Sequence, residues 1–289
     1  HSSWEEKLTI GFIPILNPDG AEAYTRANAL GIDINRDAPT LCTPEAKFLM
    51  DCVETFRPHW AFNMHDQRSI FSVGNSAEPA VMALLAPNVP PDYIGNTQHR
   101  DLAMGLIGAQ YRQMSEAEKL QTSRFSDEYY PLAMGDFMQT KGISTILVES
   151  GGGEIFRHNA RKRAAVFLKN AIQQIAAGFS FQSADKDVYL SIDENQTSLR
   201  DVIFRNLKVA GRAYDYAFQI GFDCRANAFF LELDTVGTVQ HLHAYRTIDL
   251  QFSDFEIHEV PRSFGRVNLP EYWLDSLKKY YPDLWNLLA

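Results

Sequence analysis

Residues 17–36 read NPDGAEAYTRANALGIDINR. The stretch opens with Asn17-Pro18-Asp19-Gly20, a tight-turn signal directly after an apolar run. It closes with Asp33-Ile34-Asn35-Arg36, and Arg26 stands between the two ends. Two guanidinium groups and an amide on one loop-rich segment suggest an anion grip. Arginine presents a planar fork that meets a carboxylate with two parallel hydrogen bonds.

The flanking segments supply a frame for that grip. Upstream, Lys7 to Leu16 (KLTIGFIPIL) is β-branched and apolar and reads as a buried strand, with Pro14 marking an end or irregularity. Downstream, Thr43-Pro44-Glu45 reads as a helix start: a Thr cap, Pro at the first helical position and an acid in the first turn. Leu49, Cys52, Val53 and Phe56 form that helix's apolar stripe. His59 to Asp66 (HWAFNMHD) reads as a short strand ending in the polar cluster Asn63, His65, Asp66 and Gln67. A short helix is expected over 79–85, a Pro-rich loop over 87–91, a long amphipathic helix through Leu102 to Met114, and a polar loop over 115–130. A further helix is expected over 131–140. Ile143 to Val148 (ISTILV) is an apolar strand with Glu149 at its carboxyl end, before Ser150 and three glycines, and a helix from about 157 to 177 follows.

Strands alternating with helices imply an α/β fold with a mixed or parallel sheet flanked by helices. Near Gly178 the composition changes to short, aromatic, β-rich runs: VYLSI, VIFRNLKV, AYDYAFQIGF, AFFLEL and TIDLQF. The expected division is 1–178 for the α/β domain and 187–289 for a β-rich C-terminal region, closed by a short helix within 269–288.

The 289 residues carry 27 Lys+Arg against 36 Asp+Glu, a net charge of −9. That balance lacks the basic field needed for broad binding of nucleic acid or anionic membranes, so locally concentrated arginines need a specific role. Three cysteines, with no CxxC spacing, make neither a disulfide framework nor a zinc knuckle. No run of eighteen apolar residues occurs, so no membrane insertion is expected. The compartment and oligomeric state stay open.

Ligands in open α/β sheets sit beyond the carboxyl ends of strands. The Asn17 turn, His65 and Glu149 all fall at such ends. Glu149 could serve as a general base, or as a helix cap or ion-pair partner. His65 could ligate a metal with Asp66 or Asn63 orienting its ring, or be an ordinary polar strand end. Arg26, Asn35 and Arg36 could equally be surface ion pairs and turn residues, with Asp33 and Asp37 as partners.

Taken together and in order, these pieces resemble the zinc metallocarboxypeptidases of the A/B and N/E types. The N/E branch carries an R-x-N-A-x-G-x-D-L-N-R pattern, and here Arg26-Ala27-Asn28-Ala29-Leu30-Gly31-Ile32-Asp33-Ile34-Asn35-Arg36 matches it with Ile in place of Leu. The resemblance covers roughly residues 7–177. It implies an exopeptidase that removes C-terminal residues from peptides or proteins. Asn35 and Arg36 would hold the free α-carboxylate, Arg26 would stabilise the oxyanion, His65 would ligate zinc, and Glu149 would be the general base. Tyr129 or Tyr130 would cap the substrate, and the side-chain specificity position would fall near Gly135 or Asp136.

The family takes two further zinc ligands from a His-x-x-Glu motif upstream of the Asn-Pro-Asp-Gly turn. None of the eight histidines is followed by Glu at the third position. His59 is too far along its strand to share an ion with His65, and His241-Leu242-His243 lies outside the matching region. The expectation is therefore a piece lacking that motif and inactive alone. The alternatives are a non-catalytic domain that binds C-terminal carboxylates, or a related zinc amidohydrolase acting on N-acyl amino acids or cell-wall peptides.

Overall fold

The computed structural model describes residues 4–95, 97–152, 158–209, 211–223, 228–237, 239–251, 256–257 and 265–267. The chain forms two compact units. The first comprises 1–68 with 80–195, and the second 69–79 with 196–289.

In the first unit, Pro18–Ala23 forms α1 and Pro44–Phe56 forms α2. Helix α2 starts as the sequence predicts: Thr43 Oγ1 accepts from Ala46 N at 3.2 Å and Pro44 takes the first helical position, where no intrahelical donor is needed. Strand β1 (Trp60–Gln67) follows, then β2 (Ser72–Val73) in the excursion that belongs to the second unit. Next come β3 (Met82–Leu85), α3 (Gln98–Gln113), α4 (Glu116–Lys119), β4 (Thr122–Arg124), α5 (Met134–Thr140), β5 (Ser144–Gly151), α6 (His158–Ala176) and α7 (Ser183–Ser191).

The sheet order is β1-β5-β3-β4. Strands β1 and β5 run parallel, as do β3 and β4, while β3 and β5 are antiparallel, so the sheet is mixed. Alternation along the strands sends Ile146 and Val148 of β5, with Met82 and Leu84 of β3, into a core closed by α3, α6 and α7 through Met104, Ile107, Phe167 and Tyr189. On the other side, Ile34, Ala46, Met50, Met134, Met138 and Ile143 form a second cluster beneath α2 and α5, with Ala61 of β1 packed against it. The odd-numbered residues of β1 and β5 face this second layer, and two of them are His65 and Glu149.

Five readings of the sequence change here, the first being that the polar loop expected over 115–130 holds α4 and β4. Lys7 to Leu16 forms no strand: Ile10, Phe12 and Ile15 are exposed, and only Leu16 reaches a core cluster. Its β propensity finds no neighbouring strand among the described residues, and a lone strand cannot satisfy its backbone. The expected helix over 79–85 is instead the buried strand β3, since a short apolar run reads either way until its neighbours are known. The first four residues of VYLSI are helical and end α7, with Ile192 as its extended C-cap. Asn17-Pro18-Asp19-Gly20 begins α1 rather than a tight turn, with Asn17 Oδ1 accepting from Gly20 N at 2.9 Å.

The first unit extends past the composition change near Gly178 because α7 packs on α3 and contributes the fully buried Tyr189. Strand β6 (Asn195–Gln196) marks the crossing to the second unit. That unit is β-rich, as the sequence predicts: β7 (Leu199–Val209), β8 (Arg212–Asp223), β9 (Ala228–Gly237), β10 (His243–Asp249), β11 (Glu256–Ile257) and β12 (Gly265–Val267). Its sheet runs β10-β7-β8-β9-β12, with β11 also on β7. Phe204, Tyr216, Phe218, Leu231 and Leu233 fill one face. The expected terminal helix in 269–288, Cys224 and His258 lie outside the described residues.

Candidate active site

The 26–37 loop is mostly built from its own polar side chains. Asn28 is buried; its Oδ1 accepts from Leu30 N and Ile32 N at 3.0 and 3.1 Å, and its Nδ2 donates to the Glu45 carboxylate. Gly31 takes φ +76°, a left-handed turn that glycine adopts without cost. Asp33 Oδ1 accepts from Asn35 N at 3.0 Å. Asp37 closes the loop: buried, it accepts from Cys42 N, Cys42 Sγ, Thr43 N and Thr43 Oγ1 at 2.7–3.0 Å. Burial works against its charge, but these four donors outweigh it and hold the carboxyl at about 2.

With these residues committed to the backbone, two arginines point outward. Arg26 donates from Nε to Asp33 Oδ2 at 2.6 Å and remains largely exposed. Asn17 Nδ2 donates to Arg26 O at 3.2 Å, which ties the start of the quoted stretch to its middle. Arg36 donates from Nη1 to Asn35 O at 2.7 Å, and its guanidinium lies 4.6 Å from the centre of the Tyr130 ring, a cation–π contact. Asn35 Oδ1 accepts from Met134 N at 2.9 Å, capping α5, whose own N-cap residue Ala133 has no side-chain oxygen. Asn35, Arg36 and Tyr130 therefore form one cluster at the start of α5.

Tyr129 and Tyr130 go different ways. Tyr130 is exposed over Arg36, whereas Tyr129 is half-buried and its hydroxyl is pushed up by burial, with Asp136 and Asp92 adding to it. Gly135 approaches β1 closely; a Cβ there would meet Pro87 Cγ at 3.3 Å and Asn63 Nδ2 at 3.5 Å. Asp136 is turned inward and buried, accepts from Tyr130 N at 3.3 Å, and is pushed up by burial to about 6.

The sheet supplies the remaining pair. His65 and Glu149 are register partners on the parallel strands β1 and β5, so their side chains rise from the same face about 5 Å apart at the Cα atoms. Burial lowers His65 to about 4, and the positive charges of Arg26 and Arg36 add to that while Asp33 opposes it. Its imidazole is neutral at pH 7 and carries a lone pair available to a metal or a proton donor. Burial raises Glu149 to about 7, Asp66 adds to it, and Arg26 opposes it. A carboxyl poised near neutrality can take and return a proton. Arg26 acts electrostatically on both members of the pair, which joins the strand ends to the loop.

Catalytic zinc takes three protein donors and leaves one position open. Among the described residues no group of three or more His, Cys, Asp or Glu side chains could hold a metal ion. His65 offers one donor, so the described residues by themselves do not make a zinc site. The His241 and His243 side chains lie in the second unit, where His243 Nε2 sits 3.4 Å from Asn75 O.

Asp33 pairs with Arg26 as the sequence allowed, but Asp37 does not pair with an arginine: its partners are Cys42 and Thr43, five and six positions on, a spacing with no periodic signal.

No family model matches the sequence, and no curated protein does. Among solved structures, the chain is similar to a candidate metallopeptidase from Shewanella denitrificans OS217, with TM-score 0.34 and 18% identity over 57% of this chain and 60% of that one. It is also similar to a succinylglutamate desuccinylase/aspartoacylase from Rhodobacter sphaeroides, with TM-score 0.34 and 14% identity over 57% of this chain and 44% of that one. The matched span is thus less than two thirds of either protein's length. Among the described residues no helix is long and apolar enough to cross a membrane.

Proposed function

We propose that the first unit carries the carboxylate-binding and proton-transfer part of a metallocarboxypeptidase-type site, for which a peptide or protein C-terminus is the substrate. The observation that supports this most is the in-register pair His65 and Glu149, with the charge of Arg26 felt by both and that of Arg36 by His65, taken together with the Asn35–Arg36–Tyr130 cluster. Arg36 and the Asn35 amide would hold the α-carboxylate, with Tyr130 packed beside it. Arg26, steadied through Nε by Asp33, keeps its terminal nitrogens for the charge that develops on the scissile carbonyl oxygen. Glu149 would accept the proton of the attacking water and pass it to the leaving amine.

Zinc is the group that makes water nucleophilic in this chemistry. His65 would be one of its donors, and the other two would come from outside the described residues.

The test is binding of an N-acetylated dipeptide with a free C-terminus against its C-terminal amide, by calorimetry. The free acid should bind more tightly, and Arg36→Ala should erase the difference. Equal binding of acid and amide to the unaltered protein would sink the reading. A second reading, a domain that binds C-terminal carboxylates without catalysis, is favoured in that no group of three or more His, Cys, Asp or Glu side chains among the described residues could hold a metal ion. Zinc-dependent, chelator-sensitive release of the C-terminal residue separates the two. Turnover of N-acyl amino acids in place of peptides would point to an amidohydrolase.

A further inference from the structure

Tyr130 stands within an irregular segment, 125–133, between β4 and α5. The segment has one strongly held point. Arg100 of α3 donates from Nη2 to Asp127 Oδ2 at 2.6 Å, and Arg124 Nη1 lies 3.6 Å from Asp127 Oδ1. Asn88 Nδ2 donates to Asp127 O at 3.0 Å. Three elements, α3, β4 and the 86–91 loop, therefore meet at one residue.

The two arginines are mostly buried, at 17% and 15% side-chain exposure, so this is not a solvated surface pair. They differ in what else they hold. Arg124 also reaches Glu194 Oε1 at 2.8 Å, whereas among the described residues Arg100 donates elsewhere only to Ala86 O at 3.4 Å, with Asp136 in electrostatic reach. Removing Asp127 would leave Arg100 as a poorly compensated charge. Three residues further on, Tyr130 N donates to Asp136 and Ala133 N donates to Tyr130 O at 2.9 Å. The tyrosine's backbone is thus fixed between Asp127 and the first turn of α5, with its ring on Arg36.

We infer that Asp127 is a positioning residue, whose clasp by Arg100 and Arg124 holds the 125–133 segment so that the Tyr130 ring rests on the Arg36 guanidinium. This extends the proposed reading of Asn35, Arg36 and Tyr130 as a carboxylate clamp and rests on it for its functional meaning. Asp127 touches no ligand in this arrangement. Its effect reaches the clamp only through the placement of Tyr130.

The experiment uses the whole 289-residue chain labelled with 3-fluorotyrosine, with the Tyr130 fluorine resonance identified by its loss in Tyr130→Phe. In Asp127→Ala that resonance should move toward the position of free fluorotyrosine, while the Tyr111 resonance stays in place as a control for the fold. Affinity for the free-acid dipeptide should fall about threefold to tenfold, with the amide unaffected. Asp127→Glu, which keeps the charge, should restore both signals. Should Asp127→Ala fail to fold, Arg100→Gln removes the stronger half of the clasp and should give the same displacement. An unmoved Tyr130 resonance with unchanged affinity overturns the inference, even where Arg36→Ala shows the clamp to be real. If Arg36→Ala leaves the preference for the free acid intact, the clamp reading fails, and the Tyr130 resonance alone decides whether Asp127 positions the ring.

Discussion

Asp37 and Asp136 are both buried carboxyls within 99 residues of each other, and the structure pushes them in opposite directions. Asp37 is depressed to about 2 by its four donors against the opposing effect of burial. Its native form binds fewer protons than the unfolded chain between about pH 2 and 4, so it contributes stability above that window and loses it as pH falls. Asp37→Ala should cost about 2–4 kcal/mol in urea unfolding at pH 7, because the donors of Cys42 and Thr43 lose their acceptor. The variant should also show a shallower loss of stability below pH 4. Asp136 is raised to about 6, mainly by burial, so its native form keeps a proton that the unfolded chain releases from about pH 4 upward. Its contribution falls as pH rises through that window. Asp136→Asn, whose side-chain oxygen can still accept from Tyr130 N, should be more stable relative to the parent at pH 7 than at pH 4. A stability difference that does not change between the two pH values would contradict the inward placement of this carboxyl.

At the scale of elements, what could be read from sequence depended on whether the deciding interactions were local. Helix α2 is legible because its cap, its proline and its first-turn acid lie within three consecutive residues, 43–45. Thr43→Ala should cost about 1–2 kcal/mol, since the hydroxyl both caps Ala46 N and donates to Asp37. Strand β5 is legible from its apolar run, and with it the place of Glu149. Strand β3 is not, because its seven-residue apolar run, 80–86, acquires an identity only between β5 and β4. VYLSI carries β-branched and aromatic residues, yet its first four residues are helical because packing on α3 buries Tyr189 completely. Residues 115–130 read as a polar loop and 131–140 as a helix in one dimension, and the arginines that hold Asp127 lie on α3 and β4. The order of Arg26, Asn35, Arg36, His65 and Glu149 was visible in sequence. That His65 and Glu149 lie side by side needed the parallel register of β1 and β5, and that Asn35 caps α5 needed a contact 99 positions away.

For the molecule as a whole, the two units each own an apolar core, and α7 belongs to the first. A chain ending at Gly178 would leave the α3 face that meets α7 uncovered, with Met104 and Ile107 no longer screened by Tyr189 and Ile192. It should bind a hydrophobic dye strongly and unfold with a broadened transition. A chain ending at Asn195 keeps α7 and should bind far less dye, and equal dye binding by both would argue against α7 as part of that core.

The unpaired stretch Lys7 to Leu16 has a consequence of another kind. Thr9-Ile10-Gly11-Phe12-Ile13 is uncharged, β-prone and displayed to solvent, the composition that stacks into cross-β fibrils. Pro14 follows at once, with no N–H to lend to a growing ladder, and Lys7 stands at the other end. The two residues act as gatekeepers. Pro14→Val should shorten the lag before thioflavin fluorescence appears, and Ile13→Lys should lengthen it. The cost of leaving this stretch without a strand partner is then measured in shelf life rather than in folding free energy.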